Sequence, residues 1–263
     1  MSVQFPLKEK YCIGDLLRIM EILRGESGCP WDREQDHHSI RNNFIEETYE
    51  VIEAIDTNDT ALLKEELGDV LLQIVFHSQM EKEQSQFDFE DVCDGICKKL
   101  IHRHPHVFGD VVADSAEQVL TNWDIIKRVE KKQVTSTETL KSVSNALPSL
   151  MRSYKVQKRA AKSGFDYHNY QEALADLNSE ISELQEAIAR EDNENIEEEL
   201  GDLLFSVVNV SRLLKKDPEE LLYKATDKFI ARFAKVEQRA QQQGKNISLC
   251  SFDELNDFWK KAK

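Results

Sequence analysis

Hydrophobic positions recur with a helical period along most of the chain. Ile45, Thr48, Ile52 and Ile55 form one apolar stripe, and Leu67, Val70, Leu71, Ile74 and Val75 form a second, so each segment reads as an amphipathic helix. The link Asp56-Thr57-Asn58-Asp59 is short, which predicts antiparallel neighbours. Upstream, residues 13–24 make a first amphipathic helix that stops at Gly25, and the loop GESGCPWDREQ follows with its path fixed by Pro30. Downstream, Asp88 with Asp91 starts a helix through Arg103 that Pro105 ends, and Ser115 with Gln118 caps a further helix carrying Trp123 and Lys127. No strand-length β-branched run bounded by turn residues occurs, so the pattern predicts an all-α chain.

The plan then repeats. Glu53-Ala54-Ile55 matches Glu186-Ala187-Ile188 at the same 133-residue offset that relates Leu67 to Leu200. A helix at about 147–163 ends at Gly164, GFDY stands where CPWD stood, and Asn169 with Glu172 begins the counterpart of the first long helix. Asp217-Pro218-Glu219-Glu220 pairs an acidic N-cap with proline at the first helical position, and Ser251 with Glu254 caps the last helix. The expected organisation is a tandem pair of helical bundles, residues 1–130 and 147–263, joined by a Ser/Thr-rich, charged linker at 131–146.

The acidic positions carry the candidate chemistry. Glu47 and Glu50 are three residues apart, as are Glu66 and Asp69, so each pair shares a helical face, and the four recur as Glu180, Glu183, Glu199 and Asp202. Charge runs on helices are usually solvated faces, but solvated charges have no reason to reappear in register. Four carboxylates meeting in a half-buried groove repel one another unless a cation is present, and an all-oxygen ligand set favours a hard ion, Mg2+ or Mn2+. Gly68, in a helix interior where glycine costs roughly 1 kcal/mol relative to alanine, implies close approach of a partner helix or ligand.

Composition narrows the ligand. The net charge is −15, from 49 acidic and 34 basic residues, which argues against a general nucleic-acid binder but suits a protein that holds cations. Local cations also recur in register: Lys99 with Arg103 and Lys228 with Arg232, then Trp123 with Lys127 and Trp259 with Lys263. Taken as matched sets they resemble a phosphate clamp with an aromatic wall. The five cysteines are scattered without a CxxC pair, so no disulfide framework is expected, and Cys93 and Cys97, sharing a helical face, read as buried free thiols. Neither a signal peptide nor a membrane span is expected, which predicts a cytoplasmic protein.

GCPWDREQ, EETYEV, EELGDVLLQIVF, RHPHVF, GFDY and EELGDLLF together resemble the MazG family of nucleoside triphosphate pyrophosphohydrolases in its two-domain bacterial form. The resemblance implies tandem all-α domains that dimerise, and Mg2+-dependent hydrolysis of nucleoside triphosphates, ATP among them, to monophosphate and pyrophosphate in nucleotide-pool housecleaning. It implies that Glu180, Glu183, Glu199 and Asp202 are Mg2+ ligands, with Glu47, Glu50, Glu66 and Asp69 at the same positions of the first half. It further implies that Lys228, Arg232, Trp259 and Lys263 contact the nucleotide, and that Lys99, Arg103, Trp123 and Lys127 are their first-half equivalents. The chain departs from the family motif at Ser179, where the first half keeps Glu46. A spare carboxylate, Glu46 or Glu198, would accept the proton of the attacking water. The second half is expected to be the main site, because an unbroken helix carries Lys228 and Arg232 whereas Pro105 breaks the end that carries Lys99 and Arg103.

Three rivals read less well. A catalytically dead regulatory or scaffold bundle that keeps only nucleotide binding could describe one half, but loss from both should have eroded at least one acidic quartet. A di-iron bundle needs Glu-x-x-His on two helices, and the one such spacing here is Glu34 to His37. A zinc site at His102, His104 and His106 lacks an adjacent cysteine or acidic cluster in sequence.

Overall fold

The computed structural model describes residues 5–131 and 133–262, and its contacts divide the chain between Ile126 and Lys127 into two units. The first unit holds α1 (Ile13–Arg24), α2 (Pro30–Glu34), α3 (Arg41–Thr57), α4 (Thr60–Glu83), α5 (Phe89–Arg103), α6 (Pro105–Phe108) and most of α7 (Ala116–Glu130). The second holds α8 (Ser136–Lys141), α9 (Ser149–Lys162), α10 (Tyr170–Ala189), α11 (Asn193–Leu213), α12 (Pro218–Gln242), a 3₁₀ turn at Ile247–Leu249 and α13 (Phe252–Lys261). Among the described residues there is no strand, so the all-α expectation holds.

Each unit is built on one antiparallel helix pair, α3 with α4 and α10 with α11. The two pairs turn the same way for the same reason. Asn58 at φ 57° and Glu191 at φ 54° both take the left-handed conformation that lets a helix end, and the next residue caps the following helix. Asp59 accepts from the backbone of Ala61 and Leu62, and Asp192 from that of Asn195. A β-branched residue at Asn58 or Glu191 would resist this backbone, because left-handed geometry costs an ordinary residue roughly 1–2 kcal/mol.

Other starts follow the sequence signals. Asp88 and Asp91 form a capping box for α5, Asn169 caps α10, Asp217 caps α12 ahead of Pro218, and Ser251 with Glu254 boxes α13. Two stretches differ from expectation. The loop after Gly25 contains the short helix α2, begun by Pro30, and Arg24 fastens it by donating to the carbonyl of Gln35 at 3.1 Å while pairing with Glu83 at 2.9 Å. The expected linker, 131–146, contains α8, which the Thr135–Glu138 capping box starts and which packs on α9.

The first core joins α1 to α4 through Met20, Val75, Phe76 and Met80, with Ile40 sealing one edge. The second unit buries Val236, Ala240, Phe258 and Ala262 between α12 and α13, and Ala187 and Val208 within the α10–α11 pair. Small residues at Ala54 and Ala187 bring the paired backbones close. The stripe on α3 behaves otherwise: Ile45, Ile52 and Ile55 are 47, 45 and 55% exposed, and Leu67 on α4 is 52% exposed. Gly68 and Gly201 have open space where a Cβ would stand, so the close approach expected at Gly68 does not come from the described residues. Cys93 and Cys97 are free but exposed, because α5 turns that face outward.

A histidine pair ties the α2–α3 loop to α4. His37 Nδ1 lies 2.7 Å from His77 Nδ1 with the rings nearly parallel, and His37 Nε2 lies 2.7 Å from Glu81 Oε1. The N···N bond needs a single proton between the two nitrogens. Burial and the neighbouring His37 hold His77 below its ordinary value of 6.5, so the unfolded chain takes the second proton more readily. The stabilisation is therefore present above that value and is lost as the pH falls below it. Thermal unfolding followed by circular dichroism should show a larger drop in Tm from pH 7.5 to pH 5.5 for the wild type than for His77→Leu. Equal drops would remove the pair from the explanation.

Candidate metal centre

The helix pairing brings the acidic residues together as their spacing predicts. In the first unit, carboxylate oxygens of Glu47 on α3 and of Glu66 and Asp69 on α4 lie within 4.8 Å of one another. In the second, Glu180 on α10 and Glu199 and Asp202 on α11 do the same. Glu66 and Glu199 are buried, at 8 and 9% exposure, while Glu50 and Glu183 sit at the exposed rim of their clusters.

The electrostatics match a site that wants positive charge. Burial raises the proton affinity of Glu66, and the neighbouring Glu50 and Asp69 raise it further. Glu199 is raised by burial and then by Glu183 and Asp202. Glu47 and Glu180 move the same way, burial first, with Asp69 the leading neighbour of one and Glu183 of the other. Glu66 Oε2 is buried without a hydrogen-bond partner. An orphaned, desolvated carboxylate oxygen pointing among other carboxylates fits a hard divalent cation and no neutral partner as well.

The cationic sets assemble on other helices. Arg232 on α12 stacks over the Trp259 ring at 4.9 Å, and that ring also meets Phe229 at 5.1 Å. Lys228 is exposed one turn earlier on α12, and α12 packs on α9 and α11. No ion pair or hydrogen bond joins Lys228 or Arg232 to the second carboxylate cluster among the described residues. In the first unit Arg103 lies 5.4 Å from the Trp123 ring, which His104 also meets edge-on at 4.9 Å, with Lys99 exposed on α5; Lys127, half-buried near the end of α7, falls just past the division between the units. Lys263 lies outside the described residues.

One set of residues was not singled out from the sequence. A cavity of about 680 Å³ runs from Glu180 and Asp202 to Gln157, Tyr167, Asp176 and Phe205. Asp176 Oδ2 accepts from Ser206 Oγ at 3.1 Å, and burial followed by the Asp176 carboxylate pushes the Tyr167 hydroxyl up to about 12. The signal available was spacing: Asp176 is four residues before Glu180, hence on the same helical face. At the 133-residue offset the first unit carries Asn43 for Asp176 and Phe76 for Asn209, and Phe76 is buried in the core. Ser179, at the departure from the acidic motif, donates its hydroxyl to Glu183 Oε1 at 2.9 Å.

Comparison with known proteins agrees with this duplication. A model of the MazG nucleotide pyrophosphohydrolase domain matches residues 35–108 and again 168–239. The nucleoside triphosphate pyrophosphohydrolase/pyrophosphatase MazG of Thermotoga maritima is 43% identical over 95% of this chain and 94% of its own length. The nucleoside triphosphate pyrophosphohydrolase of Escherichia coli is 41% identical over 95% of this chain and 97% of its own. That of Mycobacterium tuberculosis is 36% identical over 59% of this chain and 46% of its own.

A divalent cation should stabilise the protein in a pH-dependent way. Because folding raises the proton affinity of Glu66 and Glu199, their contribution is full below the ordinary carboxylate range and is lost as the pH rises through their raised values. The increase in Tm on adding MgCl2 should therefore be larger at pH 7.5 than at pH 4.5. An equal increase at both, or none, would count against the clusters as cation sites.

Proposed function

The chain belongs to the MazG nucleotide pyrophosphohydrolase family, and from that premise we propose a Mg2+-dependent enzyme, with Mn2+ a workable substitute, whose second half is the principal site. Its activity is that of a nucleoside triphosphate pyrophosphohydrolase. The substrates are ribo- and deoxyribonucleoside triphosphates across the bases, and the role is housecleaning of the nucleotide pool in the cytoplasm. The observation that carries this reading is the convergence of three carboxylates, one of them on a buried glutamate, in each unit.

Glu180, Glu183, Glu199 and Asp202 would hold the cation in the second half, and Glu47, Glu50, Glu66 and Asp69 in the first. Bound there, it would supply charge neutralisation for the phosphates and would make an attacking water more acidic. Lys228 and Arg232 draw the β- and γ-phosphates, Arg232 held in orientation by its stack on Trp259. Glu198, exposed beside Glu199, receives the proton of the attacking water. Ser179 steadies Glu183 through its hydroxyl, so losing a carboxylate at this position leaves the ligand set intact. The cavity beside Glu180 and Asp202 supports the second half as principal site, since the first unit packs Phe76 where Asn209 lines that cavity. Charge and stacking are shared by every nucleotide, which supports breadth across bases.

A homodimer completes the reading. Ile45, Ile52, Ile55 and Leu67 leave an apolar face open on the first helix pair, and Leu200 and Leu204, 46 and 60% exposed, leave one on the second. A second copy covers both and brings a backbone against Gly68 and Gly201. Light scattering at micromolar concentration should give twice the chain mass; the mass of one chain would overturn it.

The catalytic assignment is tested by product and by variant. Purified protein with Mg2+ should release pyrophosphate and monophosphate, and orthophosphate with diphosphate would refute the reaction. In the same assay Glu199→Gln should lose most of the turnover while Glu66→Gln keeps most of it, and the reverse order would move the principal site to the first half.

A further inference from the structure

The cavity beside the second carboxylate cluster is closed in by apolar side chains, Leu140, Val156, Ala160 and Phe205 among them, and its volume of about 680 Å³ is typical of small-molecule sites, which span about 300–1,000 Å³. Its polar groups are unevenly matched. Gln157 is 5% exposed; its Nε2 donates to the Phe205 carbonyl at 2.8 Å, and its Oε1 is buried without a partner. Asp176 accepts from Ser206 on one oxygen and is hydrogen-bonded by the Tyr167 hydroxyl, and a carboxylate so engaged keeps further acceptor capacity. The donors that line the same space are largely committed: Arg212 binds Asp166 at 3.1 Å and donates from Nε to Asn209 Oδ1 at 2.9 Å. What the wall leaves unanswered is acceptors.

We propose that this cavity receives the base of the triphosphate and that Gln157 and Asp176 favour bases bearing an exocyclic amino group over uracil and thymine. The inference rests on the reading of the second half as the pyrophosphohydrolase site and narrows its breadth. An amino group offers N–H donors to the orphan Gln157 oxygen and to the Asp176 carboxylate. A keto group at the same place sets oxygen against oxygen at both acceptors and leaves the Gln157 oxygen buried and unpaired, which is the arrangement by which polar sites reject a near-isostere. Tyr167 and Phe205 give the flat apolar surfaces a base of either kind can stack on, so discrimination falls on the polar edge. The first half carries Asn43 where Asp176 stands, so this preference belongs to the second half.

CTP and UTP make the cleanest comparison, because they differ at the amino or keto group and the adjoining ring nitrogen. In full-length protein carrying Glu66→Gln, so that the second half reports, kcat/KM for CTP should exceed that for UTP by about tenfold or more. Asp176→Asn, which places an amide donor in the same space, should bring the ratio toward one. Gln157→Leu, which removes the orphan acceptor, should lower it as well and serves if Asp176→Asn does not fold by circular dichroism. Equal kcat/KM for CTP and UTP in the parent, or a ratio that neither change moves, would overturn the proposal while leaving the pyrophosphohydrolase reading intact. If no nucleotide releases pyrophosphate, that reading falls instead. The base preference is then decided by calorimetry of CMP and UMP, whose equal affinities overturn it and whose tighter CMP binding, weakened by Asp176→Asn, upholds it.

Discussion

Three carboxylate oxygens held within 4.8 Å of one another, one of them on a buried glutamate, are an electrostatic cost that folding alone does not relieve. Everything about the two helix pairs serves to impose that crowding. Left-handed residues at Asn58 and Glu191 end the first helix of each pair, Asp59 and Asp192 start the second, and buried alanines at 54 and 187 let the backbones approach. A turn one residue longer would rotate the second helix by about 100° and take its acidic face away from the first. A cation bound there would recover the cost and would tie stability, cation affinity and chemistry to one set of side chains.

The two units share this device and differ in what surrounds it. The first invests in a core of methionine and phenylalanine between α1 and α4 and locks its entry loop through Arg24 and the His37–His77 contact. The second places Asn209 where the first packs Phe76, and Asn209 lines a cavity. The open apolar faces on both pairs show the same economy: side chains that a single chain leaves half in water are available to a second copy.

Much of this was legible in the residues. The period of Leu67, Leu71, Ile74 and Val75, the caps at Asp88, Asn169, Asp217 and Ser251, and the recurrence of the acidic quartets at a constant offset are local or repetitive signals, and α-helices are local structures. Short helices escaped notice because their signals are faint. Pro30 reads equally as a loop residue and as a first helical turn, and the Ser/Thr content of 131–146 hid the capping box that starts α8.

The sequence by itself determined an all-α duplication with an acidic cluster in each half, since a three-residue spacing on a helix puts two carboxylates on one face whatever the helix packs against. Only the tertiary structure decided which apolar stripes are core. Val75 and Ile45 are similarly hydrophobic, yet Val75 is 1% exposed and Ile45 47%, because α1 covers α4 and none of the described residues covers Ile45 to that extent. The same holds for the cavity. Gln157, Tyr167, Asp176 and Phe205 lie on α9, a loop, α10 and α11, and no periodicity within one helix can show that four separate segments face a common space.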